Sequence, residues 1–241
     1  KNNIYLGKVS RVEPSLQAAF VNIGRERHGF LAFSDIQSEY YQIPQIDKEK
    51  LKKEEEDIRE ELKEETKKIE EKNELNNDNN DSENPKEDES KQSESRDNLV
   101  KEDIENIRKK YPIKRYKIQE VIKPGQILLI QVLKDERGQK GAALTTFISL
   151  AGKYTVLMPN TPKGGGISRK IFNSDDRKKI RNILKEIAIP DTMGLIVRTA
   201  GSNKTKNEIS NDLKNTLKVW EEIKIKAINS IAPSLIYEEE D

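Results

Sequence analysis

The sequence predicts an α+β chain, and three observations carry that prediction. Apolar residues alternate in two separated blocks, within residues 1–46 and again from Tyr116 to about residue 146, as short strands joined by tight turns require. A long acidic stretch between them offers almost nothing to bury. From Phe147 onward, apolar positions recur at helical spacing on either side of one continuous apolar run at residues 194–197.

In the first block, Ile4 and Leu6 and then Ala19, Val21 and Ile23 alternate, broken by Pro14 and Gly24. Residues 47–110 change character. "DKEKLKKEEEDIREELKEETKKIEEKNEL" places Leu51, Ile58, Leu62 and Ile69 at roughly helical spacing, which predicts a solvated helix held by i,i+4 ion pairs. "NNDNNDSENPKEDESKQSESRDN" follows with no hydrophobic residue, and disorder is expected there. Strands resume with the alternating "YKIQEV" and with "QILLIQVLK" after the Pro124-Gly125 turn, and "KDERGQKGAALTT" supplies a charged turn. Strands on either side of the acidic stretch are too few to close a sheet alone, so that stretch interrupts one fold. Further on, "SDDRKKIRNILKEIAI" reads as a helix with Ser174 as N-cap and Ile180, Ile183, Leu184 and Ile187 on one face. A strand follows Pro190. A longer helix is expected over about 205–230 from Ile209, Leu213, Leu217, Trp220 and Ile223.

Charge is unevenly distributed. The formal total is +1, yet residues 47–105 hold 24 acidic and 13 basic side chains against 19 acidic and 31 basic elsewhere. A basic body with an acidic insertion favours a polyanionic partner such as nucleic acid. With no cysteine and a single histidine, thiolate and histidine-cluster metal sites are excluded, and a reducing compartment fits. No apolar stretch approaches the ~20 residues of a membrane span, and no signal peptide is read at the start. The chain opens on Lys1 in mid-pattern, which reads as a piece of something longer.

"NIYLGKVSRVEPSLQAAFVNIGRERHGFLAFSDI" has the shape of an S1-type OB barrel, with "YKIQEVIKPGQILLIQVLKDERGQKGAALTT" supplying its later strands. Together with "ISLAGKYTVLMPNTPKGGGISRKI", "MGLIVRTAG" and "VWEEI", the chain resembles the ribonuclease E/G family of bacterial endoribonucleases over everything except the acidic insertion. The resemblance implies an S1 RNA-binding domain over 1–146, interrupted at about 47–110, and a mixed α/β 5′-sensor domain over 147–241. Phe20, Phe30 and Lys140 match positions that contact single-stranded RNA. Arg198 and Thr199 match the pair that grips a 5′-terminal monophosphate, Arg169 matches a supporting arginine, and Gly152 and Val156 match backbone positions near the terminal nucleotide. Catalytic aspartates that use magnesium would lie in a subdomain outside this chain, as would a cysteine motif for a structural zinc. No catalytic residue, metal or cofactor is therefore assigned here. The parent would be a cytoplasmic bacterial homo-oligomer in RNA processing and decay, associated peripherally with a membrane through other regions. The acidic insertion is a candidate docking segment for a protein partner.

The residue types support that reading independently. A guanidinium offers a planar fork of donors matching phosphate oxygens, and the neighbouring Thr199 hydroxyl adds another. Gly201 admits a close backbone approach. Taken alone, though, the pair could also be an ordinary polar strand end. Phe20 and Phe30 could be core residues or stacking platforms, and Lys140 sits on a glycine-flanked turn within reach of a phosphate backbone. "KGGGISRK" lacks P-loop spacing. His28 has no nucleophile or partner acid to make it a general base. Asp175-Asp176 fits a helix start and Asp135-Glu136 a charged turn. The competing reading is a stand-alone RNA-binding or scaffold protein, from which the full reading frame would discriminate.

Overall fold

The computed structural model describes residues 1–77, 116–161 and 165–239. At ten residues, β1 (Ile4–Glu13) is long enough to serve several partners. It turns at Pro14–Leu16 into antiparallel β2 (Ala18–Asn22), which pairs with β3 (Gly29–Ala32). Chain beyond the insertion returns as β4 (Ile127–Lys134), antiparallel to β1, and then as β5 (Ala143–Thr145). β5 pairs antiparallel with β4 and parallel with β3. The order β1-β2-β3-β5-β4, with β4 back on β1, closes a five-stranded barrel of OB type.

Val9, Val21, Leu31, Leu128, Ile130, Val132 and Leu144 fill the barrel. The uninterrupted apolar run of β4 has a physical reason. Leu128, Ile130 and Val132 point into the barrel, while Leu129 packs against a second core on its other face. "YKIQEV" differs from the expected strand: Ile118–Val121 is one helical turn, α2, which follows α1 (Gln45–Asn77) in the chain. Its two buried residues, Ile118 and Val121, are three apart and so share a helical face. Glu120 accepts the Lys117 N–H at 2.6 Å, and Gln17 Oε1 accepts the Ile118 N–H at 3.0 Å, which stabilises the turn over an extended chain.

A second sheet has the order β6-β7-β9-β8, built from β6 (Leu150–Ala151), β7 (Thr155–Met158), β8 (Gly165–Ile167) and β9 (Gly194–Val197), with β8 and β9 parallel. Helices α3 (Ser174–Glu186) and α4 (Lys206–Ile228) cover it. Ile180, Leu157 and Ile209 are fully buried in this core, worth about 1.5–3 kcal/mol each. The N-cap of α3 is Asn173 and not Ser174: its Oδ1 accepts the N–H groups of Asp175 at 2.9 Å and Asp176 at 3.3 Å. Asparagine caps at least as well as serine, and this one stands one residue earlier.

Two links join the sheets. β10 (Ser234–Tyr237) returns after α4 to pair antiparallel with β1, so Ile4 and Ile236 belong to the second core. Buried Gln131 of β4 donates to Ser149 O and accepts from Ser149 N, each at 2.9 Å. Residues 1–44 and 116–241 form one compact unit, and 45–115 form another. The latter contains α1 (Gln45–Asn77), which begins two residues before the expected insertion boundary. Most of the stretch expected to be disordered, from residue 78 on, lies outside the described residues. Among the described residues, no helix is long and apolar enough to cross a membrane.

Candidate nucleic-acid interface

Leu195 and Val197 are buried, so the residue after Val197 leaves the core at the end of β9. Arg198 is extended there, its N–H donating to Tyr154 O at 2.8 Å, and a 3-10 turn over Thr199–Gly201 carries the chain away. Both Arg198 and Thr199 are exposed, while Gly201 is buried against Tyr154. The close approach that Gly201 permits is therefore internal. Arg198 Nη1 donates to Gly152 O at 2.8 Å. The rest of its guanidinium bonds nothing among the described residues, and no carboxylate pairs with it there.

Gly152 is held from behind. Asp212 Oδ1 accepts the Lys153 N–H at 2.9 Å, and Oδ2 accepts those of Tyr154 and Thr155 at 3.0 Å and the Thr155 hydroxyl at 2.7 Å. A Cβ at Gly152 would lie 2.5 Å from that carboxylate, so only glycine fits. Asp212 thus fixes the 152–155 turn, the turn fixes the Gly152 carbonyl, and that carbonyl orients the guanidinium. Four donors already occupy the Asp212 carboxylate, leaving the site's cationic fork without a protein anion.

Val156 is half-buried in β7, opposite Ala151 on one side and Ile196 on the other, one rung inside the site. Ile167 pairs with Val197 in the parallel β8–β9 ladder, so Arg169 and Arg198 leave the sheet at the same end. A shallow depression of about 540 Å³ opens between the β6–β7 turn and α4. Neither Arg198 nor Thr199 lines it, so the fork stands on open surface.

On the barrel, Phe20 and Phe30 are cross-strand partners whose rings meet edge to face at 6.0 Å, both half-buried. They sit between the core and pure exposure: the pair covers barrel wall and still offers ring surface. Arg11 lies over the Phe20 ring at 4.3 Å. Lys140 is exposed on a turn closed by paired backbone bonds to Arg137. The next residue, Gly141, abuts the His28 carbonyl so closely that a Cβ would fall 2.1 Å from its oxygen. Phe30 N donates to Ala142 O at 2.8 Å, which docks that turn beside the aromatic pair. The expected residues thus gather into two groups, one on each sheet.

The sequence pattern of the Ribonuclease E/G family matches residues 149–241. Over all 241 residues the chain is 39% identical to ribonuclease E of Haemophilus influenzae, of which it covers 19%. It is 38% identical to ribonuclease E of Escherichia coli over 99% of its own length and 16% of the relative's. The chain is similar to the ribonuclease E/G family over its whole length. Ribonuclease G of Salmonella typhimurium is similar at 28% identity over 92% of this chain and 32% of its own length. The chain therefore spans about a fifth or less of these two ribonuclease E proteins.

Sequence reasoning missed three residues at these groups: Asp212, Arg11 and Ser10, whose hydroxyl donates to the Phe20 carbonyl at 2.9 Å. Asp212 carried a visible signal, since it lies on the same stripe of α4 as Ile209, Leu213, Thr216 and Trp220, all buried. A carboxylate on a core stripe needs donors. Arg11 and Ser10 carried none, because their partners lie across strands whose register the sequence does not print.

Proposed function

We propose that this chain is the RNA-binding and 5′-end-reading part of a single-strand-specific endoribonuclease. One observation carries the reading: Arg198 is oriented by a bond to the Gly152 carbonyl and has no anionic partner among the described residues, while the nearest buried carboxylate is saturated by other donors. A terminal monophosphate would supply the missing anion, bound by guanidinium N–H groups and the Thr199 hydroxyl, with Arg169 adding positive charge and Gly152 and Val156 shaping the nucleotide's seat. A 5′-hydroxyl brings no such charge. The barrel would hold the strand by stacking bases on Phe20 and Phe30 and by pairing its phosphates with Lys140.

Cutting is assigned to the rest of the parent protein. The aspartates that would use magnesium are expected in that remainder, as the resemblance implies. This chain's contribution is positional: end binding and strand binding together align a scissile bond elsewhere. On this reading the isolated chain binds RNA without cleaving it.

The test is a titration with one short single-stranded RNA bearing either a 5′-monophosphate or a 5′-hydroxyl, at one salt concentration, using the unaltered chain and Arg198→Ala. Charge-assisted hydrogen bonds are worth about 1.5–3 kcal/mol, so the expected preference for the monophosphate is about tenfold or more and vanishes in the variant. Equal affinity for both ends in the unaltered chain would defeat the end-reading proposal.

A further inference from the structure

Two contacts at Ser10 fix where His28 carries its proton. Ser10 Oγ lies 2.9 Å from the Phe20 carbonyl oxygen and 2.8 Å from His28 Nδ1. A hydroxyl has one proton and a carbonyl has none to give, so the Ser10 proton goes to Phe20. Toward His28 the hydroxyl then offers only a lone pair, and Nδ1 must donate. A neutral imidazole has a single ring N–H, which leaves Nε2 as an acceptor. The residue is exposed, and nothing among the described residues bonds Nε2.

The position of that acceptor is what gives it meaning. His28 directly precedes β3, its carbonyl abuts Gly141 beside Lys140, and Ser10 ties its ring to the backbone of Phe20. It therefore borders the aromatic pair. The neighbouring Arg11 and Lys140 only donate, as suits phosphate oxygens. An acceptor is useless to a phosphate diester, which also only accepts. The donors on a single strand are the base N–H groups and, in RNA alone, the ribose 2′-hydroxyl. Only the 2′-hydroxyl is present at every nucleotide whatever its base, which suits a stacking platform that tolerates all bases.

We propose that His28, held by Ser10 as the Nδ1–H tautomer, accepts a hydrogen bond from the 2′-hydroxyl of the nucleotide stacked at Phe20, and thereby makes the barrel prefer RNA to DNA. The inference rests on the barrel being a single-strand RNA site. Ser10 is a positioning residue in it, touching the histidine and not the nucleic acid. Without the Ser10 hydroxyl, Nδ1 loses its acceptor, and the ring is free to move its proton to Nε2 and present a donor instead.

His28 is the chain's one histidine, so imidazole ¹⁵N resonances of the full 241-residue chain report on it alone. At a pH where the ring is neutral, a pyrrole-type shift is expected at Nδ1 and a pyridine-type shift at Nε2; the reverse assignment would overturn the proposal. Binding is then compared for one single-stranded sequence made as RNA and as its 2′-fluoro analogue, which lacks the donor. A net hydrogen bond predicts about a three- to tenfold preference for RNA. That ratio should collapse towards one in His28→Ala and in Ser10→Ala, and persist in Ser10→Thr, which keeps the hydroxyl. A ratio unchanged in His28→Ala, with normal overall affinity, overturns this inference alone. No RNA binding by the unaltered chain would overturn the barrel reading and this inference with it.

Discussion

A side chain's worth here depends on what already occupies it. Asp212 is spent on four donors from Lys153, Tyr154 and Thr155, whereas Arg198 has spent one N–H on Gly152. Asp212→Asn tests the first half of that contrast. Whichever way the amide faces, its NH₂ group opposes a backbone N–H and leaves that part-buried or buried donor without an acceptor, costing up to about 1–3 kcal/mol. A lower urea midpoint is expected, together with loss of any end preference. A variant with an unchanged midpoint would show the turn to be held by something else. The place of Arg198 and Thr199 at a strand end was legible in the sequence because a short apolar run ends on them. Asp212 was half legible, as a charge on an apolar stripe. The Ser10 contacts were illegible, since they depend on a shift in register between Val9 and Arg11 that alternation alone does not reveal.

Elements were legible where the apolar residues keep a steady period. β1, β2 and α4 follow their periods, and β4 reads as strand from length and composition. α2 misled because four residues cannot distinguish a period of two from one of 3.6, and two capping bonds decided the matter. The start of α4 offers an element-scale prediction. Thr205 and Glu208 form a capping box in which the Glu208 carboxylate accepts the Thr205 N–H at 2.8 Å. That bond holds the Glu208 pKa below its ordinary 4.5. A depressed folded pKa means the cap's stabilisation is complete above the ordinary value and is lost as pH falls through the folded one. The Thr205 amide resonance should therefore titrate with a midpoint under 4.5, and its protection from exchange should fade over the same range. A midpoint at the ordinary value would mean the box does not persist in solution.

At the scale of the molecule, the sequence placed a barrel, an acidic insertion and a mixed α/β part in order, but not the return of β10 to β1. That pairing is invisible locally, because "SLIY" is too short to announce a partner more than two hundred residues away. It predicts joint melting of the two sheets. The one tryptophan, Trp220, lies in the second core and reports on that sheet. Its fluorescence and the far-ultraviolet dichroism should follow a single thermal transition. A chain ending at Ser230, which lacks β10, should show the two signals separate; coincident curves in both chains would assign the coupling to Gln131 instead. The shared strand also has a metrical consequence. With β1 a wall of the barrel and the neighbour of β10 at once, no loose joint intervenes between the aromatic pair and the arginine fork. If the two groups hold RNA as proposed, they act as the jaws of a caliper locked at one opening, and the count of nucleotides between a captured 5′ end and the first stacked base would be set by the protein and not by the RNA.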